Sequence, residues 1–135
     1  MKALSLKQPW AELILQGKKT IETRKWKTHF RGTFLIHASL RPNIEEMNEF
    51  GFSALPTGCI VGMAELIDVI EYSTKELFDK DIDNHLVHLS NWTKKRYGFI
   101  LKNVQRTKPI SVKGQLNFFD VTIKDPQRKT TVQTD

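Results

Sequence analysis

The chain has 135 residues, a mass of 15.7 kDa and a formal net charge of +6. This length predicts one domain that buries its own core without disulfides or metals, and a hydrophobic content of 39% is ordinary for a soluble globular protein. The longest apolar runs are too short to cross a bilayer, and Met1–Ser5 lacks the apolar stretch of a signal peptide. Cys59 is the only cysteine, which excludes an internal disulfide and a thiolate zinc site, and its apolar neighbours predict a buried thiol. We therefore expect a cytoplasmic protein with no membrane contact.

The charges are segregated along the chain. Residues 16–32 hold six cations against Glu22 alone, and residues 93–108 hold six cations and no acid. Residues 43–83 hold ten acids against two lysines. Such segregation can concentrate positive potential on one surface, as in proteins that bind phosphates. Two unrelated solvated faces would give the same pattern, and the acidic segment could also serve a protein-interaction module.

The first third of the chain predicts three strands and one helix. Pro9 suits the first turn of a helix, where its missing N–H group costs nothing, and Gly17 provides a natural helix end. The predicted elements are a strand over Lys2–Leu6, the helix between Pro9 and Gly17, a strand over Thr20–Lys27 and a buried strand over Thr33–His37.

The rest of the chain predicts further strands separated by short helices. Asn43 can cap an acidic helix, and Gly62 indicates a bulge. Ser73 followed by Glu76 forms a capping-box pattern. The predicted elements are the helix after Asn43, the longest strand over Cys59–Tyr72, a helix over Thr74–Asp79, a helical turn at His85–Leu89, a strand over Tyr97–Val104 and a closing segment over Gln115–Ile123.

These elements predict the fold class and the domain boundary. Because strands and helices do not alternate regularly, we expect an α+β fold built on a small mixed or antiparallel β-barrel, with short helices inserted between strands. The domain is expected to cover residues 1–124. Residues 125–135 are polar and have little to bury, so they are predicted to form a disordered tail.

The segment GKKTIETRKW, residues 17–26, is the main candidate for a functional site. Lys19 follows the helix end, where its side chain can enter a cleft and act as a base or, when charged, neutralise a phosphate. Glu22 and Arg24 share one face of the strand, so the arginine can orient a carboxylate that accepts hydrogen bonds or activates water. Thr23 is expected on the opposite face. A solvated lysine beside a surface ion pair would give the same sequence.

Residues outside this segment could contact a nucleobase. Trp10 can stack on a base, although its helical spacing also fits the core. Gln8 can read a base edge with its amide or cap the helix. His37 and Ser39 end a strand near the expected mouth of the cleft, where a lone histidine is also typical of a structural residue.

A second basic segment contains aromatic residues. Trp92 and Tyr97 flank three basic residues, Lys94, Lys95 and Arg96. Aromatic rings among cations suit single-stranded nucleic acid, whereas a charged loop with inward-packed rings is the alternative. The histidines at positions 85 and 88 lack the i,i+4 spacing of a zinc helix, so we predict no metal and no cofactor.

Taken in order, the segments LSLKQPWAELILQGKKTIETRKW, GTFLIHAS, GCIVGMAELIDV, YGFILKNV and KGQLNFFDV resemble the ASCH domain family. The hallmark of that family, Gly-x-Lys-x-x-Glu-x-Arg, is matched by Gly17, Lys19, Glu22 and Arg24. The resemblance covers residues 2–123 and implies a PUA-like β-barrel. It also implies that the chain binds RNA or a nucleoside in a basic cleft around the hallmark.

The resemblance allows an enzymatic alternative. Some members are hydrolases that remove the acyl group of N4-acetylcytidine, and one branch is described as ribonucleolytic, so Lys19, Glu22 and Arg24 could be catalytic. In the deacylating branch a threonine occupies the position of Glu22, which argues here against an acyl-threonine intermediate. A general-base role for Glu22 or Lys19 remains compatible with the sequence. Glu65 is the nearest candidate for the distal carboxylate of those enzymes.

Overall fold

A computed structural model describes residues 1–88 and 92–122 of the chain. The elements within these ranges are β1 (Lys2–Leu6), α1 (Trp10–Leu15), β2 (Ile21–Arg24), β3 (Gly32–Ala38), α2 (Ile44–Glu49), β4 (Cys59–Glu71), α3 (Lys75–Lys80), α4 (Ile82–His85), β5 (Tyr97–Ser111) and β6 (Phe118–Asp120). In these ranges no helix is long and apolar enough to span a membrane.

The strands form one mixed sheet with the order β2-β5-β4-β3-β1-β6. Strands β1 and β3 run parallel, with Leu4 opposite Ile36, and the other neighbouring strands run antiparallel. Four short helices lie between strands in the described ranges. The predicted α+β fold is confirmed.

The sheet curls into a half-barrel because aromatic residues bring its two edges together. Phe118 of edge strand β6 packs 6.0 Å from Trp26, which follows the opposite edge strand β2. Phe118 also stacks 6.4 Å from Phe99 of β5. Each of these rings buries a large apolar area, so their cluster stabilises the curvature.

The bulge predicted at Gly62 is confirmed. The pairing between β4 and β5 shifts register between Ile60 and Gly62. A Cβ atom at Gly62 would lie 2.4 Å from Leu15 Cδ2 and 2.5 Å from the Gln105 carbonyl oxygen, so only glycine fits between α1 and the neighbouring strand. Close packing of α1 on the sheet depends on this glycine.

Three strand predictions were wrong in length. Strand β2 covers only Ile21–Arg24 of the predicted Thr20–Lys27. Strand β5 has 15 residues and continues to Ser111, beyond the predicted end at Val104, and it is longer than the 13-residue β4. Its second half pairs with Cys59–Met63 through backbone hydrogen bonds and carries mostly exposed polar side chains, so no apolar pattern marks it in the sequence. The closing strand β6 is shorter than the predicted segment, whose last residue, Ile123, lies outside the described residues together with the predicted tail.

The helix ends follow local signals with small offsets. Gly17 ends the first helical segment with a φ of 78°, as predicted. Thr74, not Ser73, caps α3, because its Oγ1 accepts a hydrogen bond from the Leu77 N–H group at 3.2 Å. The turn predicted from His85 onward begins earlier, since α4 ends at His85.

The single cysteine lies in the core. Cys59 is buried at the start of β4, and burial raises the pKa of its thiol. A thiol in this state is a poor nucleophile. The predicted buried thiol is confirmed.

Candidate functional site

The hallmark lysine is buried in the turn between α1 and β2. Only 1% of Lys19 is exposed, and its Nζ donates a hydrogen bond to the His85 carbonyl oxygen. The same nitrogen lies 3.8 Å from Glu22 Oε1 and 4.8 Å from the centre of the Trp10 ring. This geometry contradicts the alternative of a solvated lysine.

Helix α4 fixes the carbonyl group that receives Lys19. The Thr20 N–H group donates to the Asn84 carbonyl oxygen at 2.9 Å, which ties the start of β2 to α4. The His85 ring is held on both sides, because Nδ1 accepts from the Val87 N–H group at 3.0 Å and Nε2–H donates to the Phe78 carbonyl oxygen at 2.7 Å. Burial lowers the pKa of His85, which agrees with this neutral form.

Burial also sets the protonation of Lys19. It lowers the pKa of the ammonium group from 10.5 to about 8, because the charged form loses its hydration. Glu22 raises this pKa, whereas the positive charges of Arg24 and Arg96 lower it. Lys19 is therefore mostly charged at pH 7 and becomes neutral within reach of ordinary assay conditions.

Glu22 and Arg24 share a face of edge strand β2, as predicted. Arg24 Nε donates to Glu22 Oε2 at 2.9 Å, and Arg24 Nη2 donates to the Ser5 carbonyl oxygen at 2.7 Å. Glu22 is only 8% exposed, so the pair is more than a surface ion pair. Because the guanidinium group is held at two points, it fixes the orientation of the carboxylate.

A cavity of about 420 Å³ opens over these side chains and is called the Lys19 cavity. Its lining combines hallmark residues with residues from α2 and from the segment before β5. The lining residues are Trp10, Lys19, Glu22, Thr23, Lys25, Asn43, Glu46, Val87, Trp92, Thr93 and Arg96. Asn43, Glu46, Val87 and Thr93 were not predicted, because only tertiary folding brings them to the hallmark.

A second cavity of about 490 Å³, called the Trp26 cavity, continues the first. The residues that line both are Trp10, Glu22, Thr23, Lys25 and Arg96. Arg24 lines the Trp26 cavity. The two cavities form one cleft that runs along β2.

Three of the aromatic or basic side chains predicted to contact a ligand line the cleft. Trp10 is half-buried, with an edge-to-face contact to Phe50 at 5.7 Å, and it lines both cavities instead of filling the core. Arg96 also lines both, and burial lowers its pKa. Trp92 lines the Lys19 cavity.

Thr23, expected on the strand face opposite Glu22, also borders the cleft. It lines both cavities, and its Oγ1 accepts a hydrogen bond from Arg96 Nη1 at 3.3 Å. Strand β2 is short and lies at the edge of the sheet, so side chains from both of its faces border the cleft.

Several predicted ligand contacts are engaged within the fold. Gln8 is buried, its amide group donates to the Pro56 carbonyl oxygen at 2.9 Å, and its Oε1 accepts from the Glu12 N–H group at 3.0 Å. This geometry favours the capping alternative for Gln8. Tyr97 packs against the barrel core, which favours the inward-packed alternative.

Other predicted residues lie away from the Lys19 cavity. His37 is 1% exposed, and both ring nitrogens are engaged, with Ser5 Oγ at 2.8 Å and the Val112 carbonyl oxygen at 2.6 Å. Ser39 lines the Trp26 cavity. Lys94 and Lys95 are exposed and line neither cavity.

The candidate distal carboxylate is also elsewhere. Glu65 lines neither cavity, and its Oε1 accepts a hydrogen bond from Asn103 Nδ2 at 2.6 Å. Glu46 of α2 is the carboxylate that lines the Lys19 cavity together with Glu22. In the described ranges no group of three or more His, Cys, Asp or Glu side chains is placed to hold a metal ion.

The ASCH domain profile matches residues 4–109. The chain belongs to the ASCH domain family. ASCH domains have a PUA-like fold, which is an RNA-binding fold. The predicted family and fold are therefore confirmed.

Individual relatives agree with this assignment. Activating signal cointegrator 1 from Mus musculus is 30% identical over 116 residues, and its Homo sapiens counterpart is 29% identical over 116 residues. Each match covers 76% of this chain but only 19% of the relative. The crystal structure of ASCH from Zymomonas mobilis superposes with a TM-score of 0.63 at 20% identity, covering 82% of this chain and 73% of the other.

Proposed function

We propose that this ASCH domain binds RNA by inserting one nucleoside into the Lys19 cavity. The observation that carries the proposal is the buried Lys19 ammonium group, held between Glu22 and the Trp10 ring on a cavity wall. Burying a charged lysine costs free energy, so a fold that keeps one there supports a role in ligand binding.

The walls of the cavity suit a base. The Trp10 ring lines it, and a base stacked on such a ring is stabilised by about 1–3 kcal/mol. Lys25 and Arg96 line the same cavity and could neutralise a flanking phosphate. The cavity volume of about 420 Å³ lies within the range of about 300–1,000 Å³ that is usual for small-molecule sites.

The polar groups favour a base that carries an amino group. The Glu22 carboxylate accepts hydrogen bonds, and the Lys19 ammonium group beside it donates them. Cytosine and adenine present an amino donor next to a ring acceptor, whereas uracil has no amino group to donate. We therefore expect cytidine and adenosine to bind more tightly than uridine.

Titration of the protein with nucleosides and short single-stranded RNA, followed by tryptophan fluorescence or calorimetry, tests this proposal. Lys19→Met should weaken binding about 10- to 150-fold, because it removes a charged hydrogen-bond donor. Lys18→Met is the matched control, since Lys18 is exposed and lines neither cavity. Equal affinities for the two variants would refute a role for Lys19, and RNA affinity that does not fall with salt would refute phosphate binding.

A second candidate function is hydrolysis of an N-acylated nucleoside such as N4-acetylcytidine. The pKa of Lys19, about 8, favours it, because a neutral amine can take a proton from water near neutral pH. The resulting hydroxide would add to the acyl carbonyl group. Cleavage of the C–N bond, with the proton held by Lys19 passing to the departing nitrogen, would release the carboxylic acid and the free amino group.

Incubation with N4-acetylcytidine and chromatography of the products tests the hydrolase. The expected rate rises with pH through about 8 as Lys19 loses its proton, and Lys19→Met abolishes it. A rate that Lys19→Met leaves unchanged would remove Lys19 as the base, and Glu22→Gln tests the other candidate in the same assay. Gel analysis of the RNA used for binding reports any ribonuclease activity.

A further inference from the structure

We infer that the ligand is a single-stranded RNA of several nucleotides, and that it continues from the Lys19 cavity into a second, basic groove that no residue of the hallmark lines. This inference rests on the proposed function and extends it from one nucleoside to an oligonucleotide. The groove, called the Leu116 groove, has a volume of about 820 Å³. It lies where the segments after β1, β3 and β5 meet.

The groove is a built feature with an anchored wall. His37 Nε2 holds the Val112 carbonyl oxygen at 2.6 Å, and Ser5 Oγ lies 2.8 Å from His37 Nδ1. A Cβ atom at Gly114 would lie 2.7 Å from the His37 ring and 2.8 Å from Ser5 Oγ, so a glycine is needed for this approach. The buried histidine therefore fixes the segment after β5 against β1 and β3.

The charge of the lining selects a polyanion. Three cations, Lys7, Arg41 and Lys113, line the groove, and no carboxylate appears among the described residues of its lining. A cationic lining attracts a phosphate backbone, whereas it gives no electrostatic advantage to an apolar partner without acidic groups. Two leucines border the same groove with large exposed fractions, 74% for Leu40 and 89% for Leu116, and offer apolar surface to unstacked bases.

Continuity with the cleft sets the path of the strand. The Leu116 groove and the Trp26 cavity share Ser5, Lys7, Ser39, Gln115 and Leu116. The Trp26 cavity in turn shares its other end with the Lys19 cavity through Trp10 and Arg96. A chain that leaves the Lys19 cavity along β2 therefore enters the groove. Among the described residues that line this path, Glu46 at its start is the only acidic side chain from the segment 43–83. The path joins cavities of about 420, 490 and 820 Å³, which together offer more room than one nucleoside fills.

The test is a length series of single-stranded RNA, from a nucleoside through two, four and eight nucleotides, measured by fluorescence anisotropy or calorimetry. The groove variant is Arg41→Ser with Lys113→Ser, because both side chains are exposed and line only the Leu116 groove. The control variant, Lys80→Ser with Lys102→Ser, removes the same charge from exposed positions that line none of the three cavities.

Wild-type affinity should rise at least tenfold from the nucleoside to the octamer. The groove variant should lose that gain, keep the nucleoside affinity, and reduce the slope of log affinity against log salt by about 1.4, as expected for two phosphate contacts on a single strand. The control variant should behave as the wild type.

Each contrary result has a distinct meaning. Equal affinity for nucleoside and octamer, or a length gain that survives in the groove variant, would overturn the groove inference while leaving the Lys19 cavity intact. A groove-dependent octamer affinity that Lys19→Met does not change would refute the proposed function and keep the groove. Equal binding of an acidic peptide and the octamer would overturn RNA as the occupant.

Discussion

Two buried glutamates in this domain meet cations in different ways. Glu12 of α1 accepts hydrogen bonds from the two terminal nitrogens of Arg106, at 2.8 and 2.9 Å, and a third from Gln16 at 2.8 Å. Glu22 accepts one nitrogen of Arg24 at 2.9 Å and lies 3.8 Å from Lys19 Nζ. Both residues are 8% exposed, so burial alone does not distinguish them.

The two carboxylates differ in their remaining capacity to accept hydrogen bonds. Glu12 lines none of the three cavities, and its two oxygens are engaged by a bidentate partner that holds helix α1 to strand β5. Glu22 lines two cavities and keeps lone pairs for a ligand. A buried ion pair therefore indicates a binding site only where its geometry is incomplete and faces open space.

The largest expected effect concerns Lys19, the buried cation that lies beside Glu22. Its pKa is about 8 in the fold and 10.5 in the unfolded chain, so the unfolded chain binds more protons between these values. The free energy of unfolding should therefore rise with pH from 8 towards 10.5, by up to about 3 kcal/mol. Urea unfolding at pH 7, 8, 9 and 10 measures this rise.

Variants isolate the contribution of that lysine. Lys19→Met should remove the rise, and Lys18→Met should keep it because Lys18 is exposed. Measurements should stop near pH 10, since the raised pKa of Tyr72 makes stability fall above its ordinary value of 10.0. A rise that persists in Lys19→Met would show that another group causes it.

The next effect compares the two glutamates in binding. Glu22→Gln should weaken cytidine or RNA binding about 10- to 100-fold and reduce the preference over uridine, because an amide replaces a charged acceptor. Glu12→Gln should change affinity less than twofold. Parallel calorimetric titrations of both variants measure this, and equal losses would mean that Glu22 acts only through the fold.

The smallest expected effect is the contribution of Glu12 to stability, which is lost as the pH falls. Hydrogen bonds from Arg106 lower the pKa of Glu12 below 4.5, so this group adds stability above pH 4.5 that is lost as the pH falls through its folded pKa. Because Arg106 is half-exposed, Glu12→Gln should reduce the free energy of unfolding at pH 7 by only about 1–2 kcal/mol. Thermal unfolding at pH 7 and pH 3 should show a smaller acid loss in the variant than in the wild type.

Local chemistry made much of the fold predictable. Pro9 and Gly17 bounded the first helix, and Gly62 marked the bulge, because proline fixes its own φ angle and glycine allows backbone conformations and close approaches that other residues do not. The second half of β5 escaped prediction, since most of its side chains are polar and exposed and its pairing partners lie 42 to 52 residues earlier.

The site was predictable only in part. The hallmark spacing placed Glu22 and Arg24 together because two residues on one strand face are neighbours by geometry. The acceptor for Lys19 lies 66 residues away on α4, and Glu46 arrives from α2, so neither leaves a local signal. Burial of Lys19 follows from that long-range packing.

Arg24 also connects two strands of the half-barrel that are not neighbours in the sheet. Its hydrogen bond to the Ser5 carbonyl oxygen joins β2 to β1, although three strands separate them in the sheet. A lysine could not span both Glu22 and Ser5, because a single ammonium group lacks the two-pronged reach of a guanidinium group. Together with the aromatic cluster around Phe118, this hydrogen bond holds β2 near β1, so the hallmark arginine that lines the Trp26 cavity also joins two separate strands of the half-barrel.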